Sequence, residues 1–253
     1  TRVLVVGVSI RNDASQTVSS VTYATAPLTF LRADTNGVSV RSELWYRVAP
    51  ATGANTVAVT LSASAKAAMG AISLIGVDQT TPIDANAGAT GSGTAPSVTV
   101  TTVVNNAWVI DATAFRSTAN GAPTGTAGSG QTERWSGYTE SGGVIVNIRG
   151  KGSTEGPKSP AGGVVMDWSL SASVDWAISA ASFRPAVEAE IAYRSNTGAN
   201  TVSSPKTRTG DGSTWSAEAE QATAGSPIRA VRTAWSPTAS TTRIIVTQSD
   251  DGW

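Results

Sequence analysis

The chain has 253 residues, 40% of them hydrophobic and only 14% charged, with a formal net charge of +0. That is enough apolar material for a core, and the lack of any Lys/Arg block excludes both a nucleic-acid footprint and a polybasic membrane patch. Cysteine and histidine are both absent, which excludes disulfides, thiolate chemistry, imidazole metal sites and a Ser-His-Asp constellation.

Period-two runs broken by Gly, Asn, Pro and Ser dominate the chain, and no apolar stretch reaches the roughly 18 residues that cross a bilayer. In chain order they predict strands near residues 3–10, 17–23, 28–32, 38–48, 55–61, 69–77, 97–103, 107–115, 143–148, 163–170 and 174–183. Short strands joined by turns predict an all-β fold, an antiparallel β-sandwich of jelly-roll or Ig-like type, because a parallel sheet needs crossover helices. The stretches "TPIDANAGATGSGTAPS", "RSTANGAPTGTAGSGQ" and "KGSTEGPKSPAGG" are small and polar, and are expected to be surface loops. The peptide "TGANTV" occurs twice and reads as turn chemistry before a strand rather than as a repeat. A change in pattern after Pro185 places a boundary between a sandwich domain, 1–186, and a smaller β-rich segment, 187–253.

The opening "TRVLVVGVSI" is apolar on both faces of a strand. Burying Val3, Leu4, Val5, Val6, Val8 and Ile10 is worth on the order of 10 kcal/mol at about 1.5–3 kcal/mol each. An edge strand normally carries a polar face, a proline or a charge, so this one is expected inside a sheet with neighbours on both sides. Its Gly7 does not open a dinucleotide-binding loop, because "VSIRNDASQTVSSVTY" continues as strand, turn and strand. At the other end "TTRIIVTQSDDGW" reads as a strand, a turn and half a hairpin. Both ends look severed from β-structure, and the expectation is that neighbouring subunits complete it by strand complementation, with Val3, Leu4, Val5, Val6, Val8, Ile10, Ile244, Ile245 and Val246 as the pairing residues.

The elements "RVLVVGVSIRN", "QTVSSVTYATAPLT", "ELWYRVAPATGANTVAVTLSA", "GAISLIGVDQTTPI", "PSVTVTT" and "DWAISAASFRP" resemble a recurring module of large secreted prokaryotic surface, adhesin and filament proteins. The resemblance covers residues 2–183 and implies a β-sandwich without assigned catalytic residues. It also implies a further Ser/Thr-rich strand before Arg2 that is missing here. The segment "TRTGDGSTWS" is similar to the Asp-containing turn of sialidase-like β-propellers, with Thr209, Asp211, Gly212 and Trp215 standing in and one residue missing, so 187–253 reads as a partial propeller.

For glycoside hydrolysis, which needs two carboxyl groups facing an open cleft, the candidates are Glu43, Asp111, Asp167 and Asp175. Alternation in "MDWSLSASVDW" turns Trp168 and Trp176 inward and leaves Asp167 and Asp175 outward, so solvated or turn-capping roles are favoured over catalysis. Eight tryptophans invite a sugar-stacking face. Trp135, with Tyr138 beside it in "QTERWSGYTE", is the best exposed candidate, while Trp45, Trp108, Trp168 and Trp176 lie in apolar runs. Calcium would use Asp78, Asp84, Asp211, Asp250 or Asp251, without any recognised spacing, so no cofactor is expected. The leading expectation is therefore a non-enzymatic, extracellular structural subunit of a surface filament whose partners are copies of itself. The alternatives are a carbohydrate-binding or adhesion module that takes glycans, and a non-catalytic appendage of a glycoside hydrolase. Neither nucleic acid nor membrane insertion is expected.

Overall fold

The reason "RVLVVGVSIR" is apolar on both sides is that it runs down the middle of the second layer in a four-layer stack. The computed structural model describes residues 1–117, 121, 123–139 and 147–186, together with the backbone of strands between 189 and 249. The described elements are all strands, and the chain is an all-β protein of several antiparallel sheets. It divides into two compact units, Thr1–Ala186 and Val187–Trp253.

The first part of the larger unit contains β1 (Arg2–Arg11), β2 (Val18–Tyr23), β3 (Ala26–Pro27), β4 (Thr29–Asn36), β5 (Val40–Val48), β6 (Val57–Leu61) and β7 (Ala67–Ile75). Its large sheet has the order β4-β5-β1-β7 and its small sheet the order β3-β2-β6. The second part contains β8 (Ile83–Gly93), β9 (Ser97–Thr101), β10 (Ala107–Arg116), β11 (Gly125–Ala127), β12 (Thr132–Tyr138), β13 (Ile148–Lys158), β14 (Gly163–Leu170) and β15 (Val174–Phe183). Its large sheet has the order β12-β13-β10-β15-β8 and its small sheet the order β11-β14-β9.

The two parts repeat one pairing scheme. The run β4-β5-β1-β7 recurs as β12-β13-β10-β15, and the pair β2-β6 recurs as β11-β14. Each large sheet buries one face beneath its own small sheet and the other against the opposite large sheet. Leu4, Val6, Val8 and Ile10 of β1 pack with Val18 and Val21 of β2 in one core. Val3 and Val5 pack with Ile110 and Ala112 of β10 and Phe183 of β15 in the central core. The other face of the second large sheet packs Val109, Phe115 and Ile178 against Val164, Met166 and Trp168 of β14.

Beside these apolar contacts the central seam also uses short side chains, among them Ser9, Ser42, Ala112, Ser179 and Ala181, all buried. Serine hydroxyls cross it to carbonyls of the opposite sheet: Ser9 donates to Thr113 at 2.7 Å, Ser42 to Ala112 at 2.8 Å, and Ser179 to Ser42 at 3.1 Å. Buried hydroxyls need such partners, and here the partners tie one sheet to the other.

Two of the expected loops are strands. "IDANAGATGSG" forms β8 and pairs along β15, and "KGSTEGPK" lies in β13, where Ser153 and Thr154 are buried. Their small residues are there because neighbours approach closely. A Cβ on Gly88 would strike the Asp34 carboxylate, and one on Gly152 would strike the Trp135 indole.

In the smaller unit, β16 (Ala189–Arg194), β17 (Pro205–Gly210) and β18 (Ala219–Glu220) form one antiparallel sheet, and β19 (Ile228–Trp235) and β20 (Arg243–Ser249) form another. Thr209 lies in β17 opposite Glu190; the remaining positions of the propeller-like turn, Asp211, Gly212 and Trp215, lie outside the described residues.

Candidate functional site

The residues expected to pair with another subunit are paired within the chain. β1 is hydrogen-bonded to β5 from Val3↔Val48 to Arg11↔Val40 and to β7 from Arg2↔Ile75 to Ile10↔Ala67. Val3, Leu4, Val5, Val6, Val8 and Ile10 are all buried. The expectation of neighbours on both sides holds, but the expectation that they come from outside is corrected, because β5 and β7 use both of its edges. Ile244, Ile245 and Val246 of β20 pair with Ala234, Thr233 and Arg232 of β19.

Trp135 is also corrected. Its ring is directed into the central seam, where hypothetical Cβ atoms on Gly7, Gly70, Gly150 and Gly152 would all collide with it. It packs at the edge of the central core, and its flat face lies against glycine backbone rather than open to a sugar. The polar neighbours that suggested exposure are engaged with β13: Glu133 accepts from Lys151 at 2.7 Å and Arg134 donates to the Thr154 hydroxyl at 2.8 Å, across a register shift between Glu133 and Trp135. Tyr138 is half-buried, with the Arg149 guanidinium 5.0 Å from its ring centroid. The two rings therefore form no open stacking platform.

The carboxylates are distributed between separate cores. Glu43, buried beneath the first small sheet, accepts from the Val18 amide at 3.1 Å, the Arg41 guanidinium at 2.6 Å and the Trp45 indole at 2.9 Å. Asp111, one of the candidate acids for glycoside hydrolysis, is fully buried beneath the second small sheet. It accepts from the Ser153 amide at 2.6 Å and hydroxyl at 2.8 Å, and from the Trp168 indole at 2.7 Å. Burial outweighs those three donors and raises its pKa to about 6. Each half thus holds a buried acid that accepts an indole N–H and a backbone N–H, a structural device in both places. Asp167 is half-buried on β14, with its main-chain N–H donating to Gln131 at 2.7 Å.

Asp175 belongs to a polar cluster where β1 and β10 end in equivalent arginines. Its carboxylate receives the hydroxyls of Ser39 and Ser92 and the Arg116 guanidinium. The Ser92 hydroxyl is the first cause of its lowered pKa. Arg11 donates to the Ser39 carbonyl and pairs with Asp13, both at 2.7 Å. Two shallow recesses open here, of about 310 Å³ beside Arg11, Asp13 and Gln16 and about 250 Å³ beside Ser92, Arg116 and Asp175. Their charges are already paired, and the Ser39–Asp175 bond stitches one half to the other.

Of the calcium candidates, Asp78 and Asp84 lie among the described residues, and each is taken up by its own partners. Asp78 caps its own turn, accepting from the amides of Thr80 and Thr81. Asp84 accepts from the Val103 amide and the Ser182 hydroxyl and faces Arg184. Asp211, Asp250 and Asp251 lie outside the described residues, and among the described residues no group of three or more acidic side chains gathers.

Sheet edges remain. In the first large sheet β7 is an edge strand whose Met69 and Ile75 are 45% and 80% exposed. An edge with free N–H and C=O groups beside exposed apolar side chains is a surface built for pairing. Sequence reasoning missed it because β7 was not distinguishable from an interior strand by its alternation alone. No protein-family model matches this chain, and no curated protein or solved structure matches it.

Proposed function

We propose that this chain is a non-catalytic structural module of an extracellular surface assembly, a stacked pair of β-sandwiches joined to neighbouring subunits through sheet edges. The observation that supports this reading best is the use of its interior. Buried polar groups, including Glu43, Asp111, Ser9, Ser42 and Ser179, hold strand to strand and sheet to sheet, while the edge of β7, with Met69 and Ile75 exposed, pairs with no strand among the described residues. A four-layer stack with three packed interfaces suits a spacer, and its β7 edge, unpaired among the described residues, supplies a joint by β-augmentation. The resemblance of residues 2–183 to modules of secreted prokaryotic surface proteins points the same way. The sugar-binding alternative loses its leading ring, since Trp135 packs against glycine.

The test is to shear surface structures from cells that express the chain from its own gene, identify their components by mass spectrometry and label intact cells with gold-conjugated antibody. Recovery in the high-mass sheared fraction with label at the cell surface is expected. Recovery only as a cytosolic monomer would overturn the proposal.

A further inference from the structure

Although the two halves of residues 1–186 share one pairing scheme, only the second carries strands beyond its last two. β8 pairs with β15 from Val174↔Gly93 to Phe183↔Ile83, and β9 pairs with β14 from Gly163↔Thr101 to Asp167↔Ser97. The equivalent edges in the first half, those of β7 and β6, carry no strand among the described residues. Side-chain burial records the difference. Trp176, Ile178 and Ala180 of β15 are buried in one cluster with Val98 and Val100 of β9. On the corresponding face of β7, Met69 and Ile75 are exposed. Along β14 the inward residues Val164, Met166, Trp168 and Leu170 are all buried, whereas Val57, Val59 and Leu61 of β6 are only partly buried although they pack on the first core.

We propose that the β7 and β6 edges together form the acceptor site for a two-strand arm of a partner polypeptide. The arm's first strand extends the large sheet from β7, and its second extends the small sheet from β6 and covers Met69 and Ile75. The internal template gives its chemistry. β4 lies across from β15 and β8, and β12 lies across from β7 in the same way. Beside β15, that crossing admits a strand of small residues such as "IDANAGATGSG", with Gly88 against Asp34. The lane beside β7 takes a strand of the same kind, followed by an alternating valine strand such as "SVTVT". Residues 83–101 are already held in the second half, so the occupant is a further arm of the same chemistry. The inference rests on the structural-module reading and names one of its joints.

The experiment adds a synthetic peptide with the sequence of residues 83–101 to the intact chain and follows amide hydrogen exchange. Exchange across residues 57–61 and 67–75 is expected to slow by about tenfold or more, with 29–36 unchanged. The double variant Met69→Asp, Ile75→Asp changes exposed side chains, and is expected to keep its unfolding midpoint while losing the protection. A second form carries the same peptide fused ahead of Thr1 by a flexible linker, which raises its effective concentration to the order of millimolar. It is expected to melt higher than its Met69→Asp, Ile75→Asp counterpart. Unchanged exchange at β7 and β6 in both formats, protection at the β4 edge instead, or association of copies through β7 without peptide would overturn the proposal. Surface assembly with β7 and β6 unprotected would sink this inference alone; peptide binding by a cytosolic monomer would sink the structural-module reading alone.

Discussion

Asp111 is the residue whose ionisation the fold has altered most plainly. Its side chain is fully buried, and desolvation lifts its pKa from 3.8 to about 6 against the pull of Trp168 and Ser153. Between those values the folded chain keeps a proton that the unfolded chain has released. Stability from this group is therefore greatest below about pH 4 and falls by about 3 kcal/mol as pH rises to about 6, then stays level. Asp175, lowered first by the Ser92 hydroxyl, and Asp78, lowered first by the Thr81 amide, act in a separate window. Their stabilisation is present above the ordinary aspartate pKa and is lost as pH falls through their depressed values. Glu155, raised by partial burial, acts in the same sense as Asp111, so the comparison is made against a variant. Urea unfolding of the native chain should show more stability near about pH 4.5 than near about pH 7. Asp111→Asn should flatten that slope while lowering stability at both, because its amide N–H₂ would meet the Trp168 N–H. An unchanged slope in the variant would show that the pH dependence arises elsewhere.

Between elements, the central seam depends on a ring and the glycines beneath it. Gly7 and Gly70 are cross-strand partners on β1 and β7, and both lie under Trp135 of β12. Gly70→Ala should destabilise the chain by about 1–3 kcal/mol through overpacking, and Trp135→Ala by about 3 kcal/mol through the cavity it leaves. In the double variant the two costs should fall well short of additivity, because the added methyl fills space the ring has vacated. Additive costs in denaturant titrations would mean that the ring and the glycine do not meet. The same seam explains what could be read from the residues alone and what could not. β1, β10, β14 and β15 announce themselves by alternation or by apolar residues on both faces. β8 and much of β13 do not, because "NAGATGSG" and "KGSTEG" have the composition of turns. They are strands because Asp34, Trp135 and Trp176 press against them, a tertiary cause without a local signature. The period-two glycines Gly150 and Gly152, facing the seam from a neighbouring strand, were the one signal that Trp135 has a backbone bed. Glu43 and Asp111 could be picked out as carboxylates in apolar runs, but not their shared indole partners, which depend on layers that only the assembled fold defines.

The repeated pairing scheme makes residues 1–186 a fused dimer in architecture, with β4 crossing β15 on one side and β12 crossing β7 on the other. A seam of that kind predicts how each half behaves when separated. Residues 79–186 retain every strand from β8 to β15, including the two that complete their own sheets. Separation would uncover Ile110, Ala112, Ala181 and Phe183, which are buried in the central core. A face of buried apolar residues on a module with an internal counterpart finds its nearest substitute in a second copy of itself, through a two-fold, self-complementary contact. The 79–186 fragment should therefore sediment as a dimer, and Ile110→Asp should shift it to monomer with its strand content kept by circular dichroism. Residues 1–78 lack counterparts of β8 and β9 and leave Val57, Val59 and Leu61 partly exposed even in the intact chain. Alone they should fail to reach a cooperative unfolding transition. A 79–186 fragment that stays monomeric and stable at high concentration would show that the second sandwich does not need the seam, and that the stacking of the halves serves something other than burial.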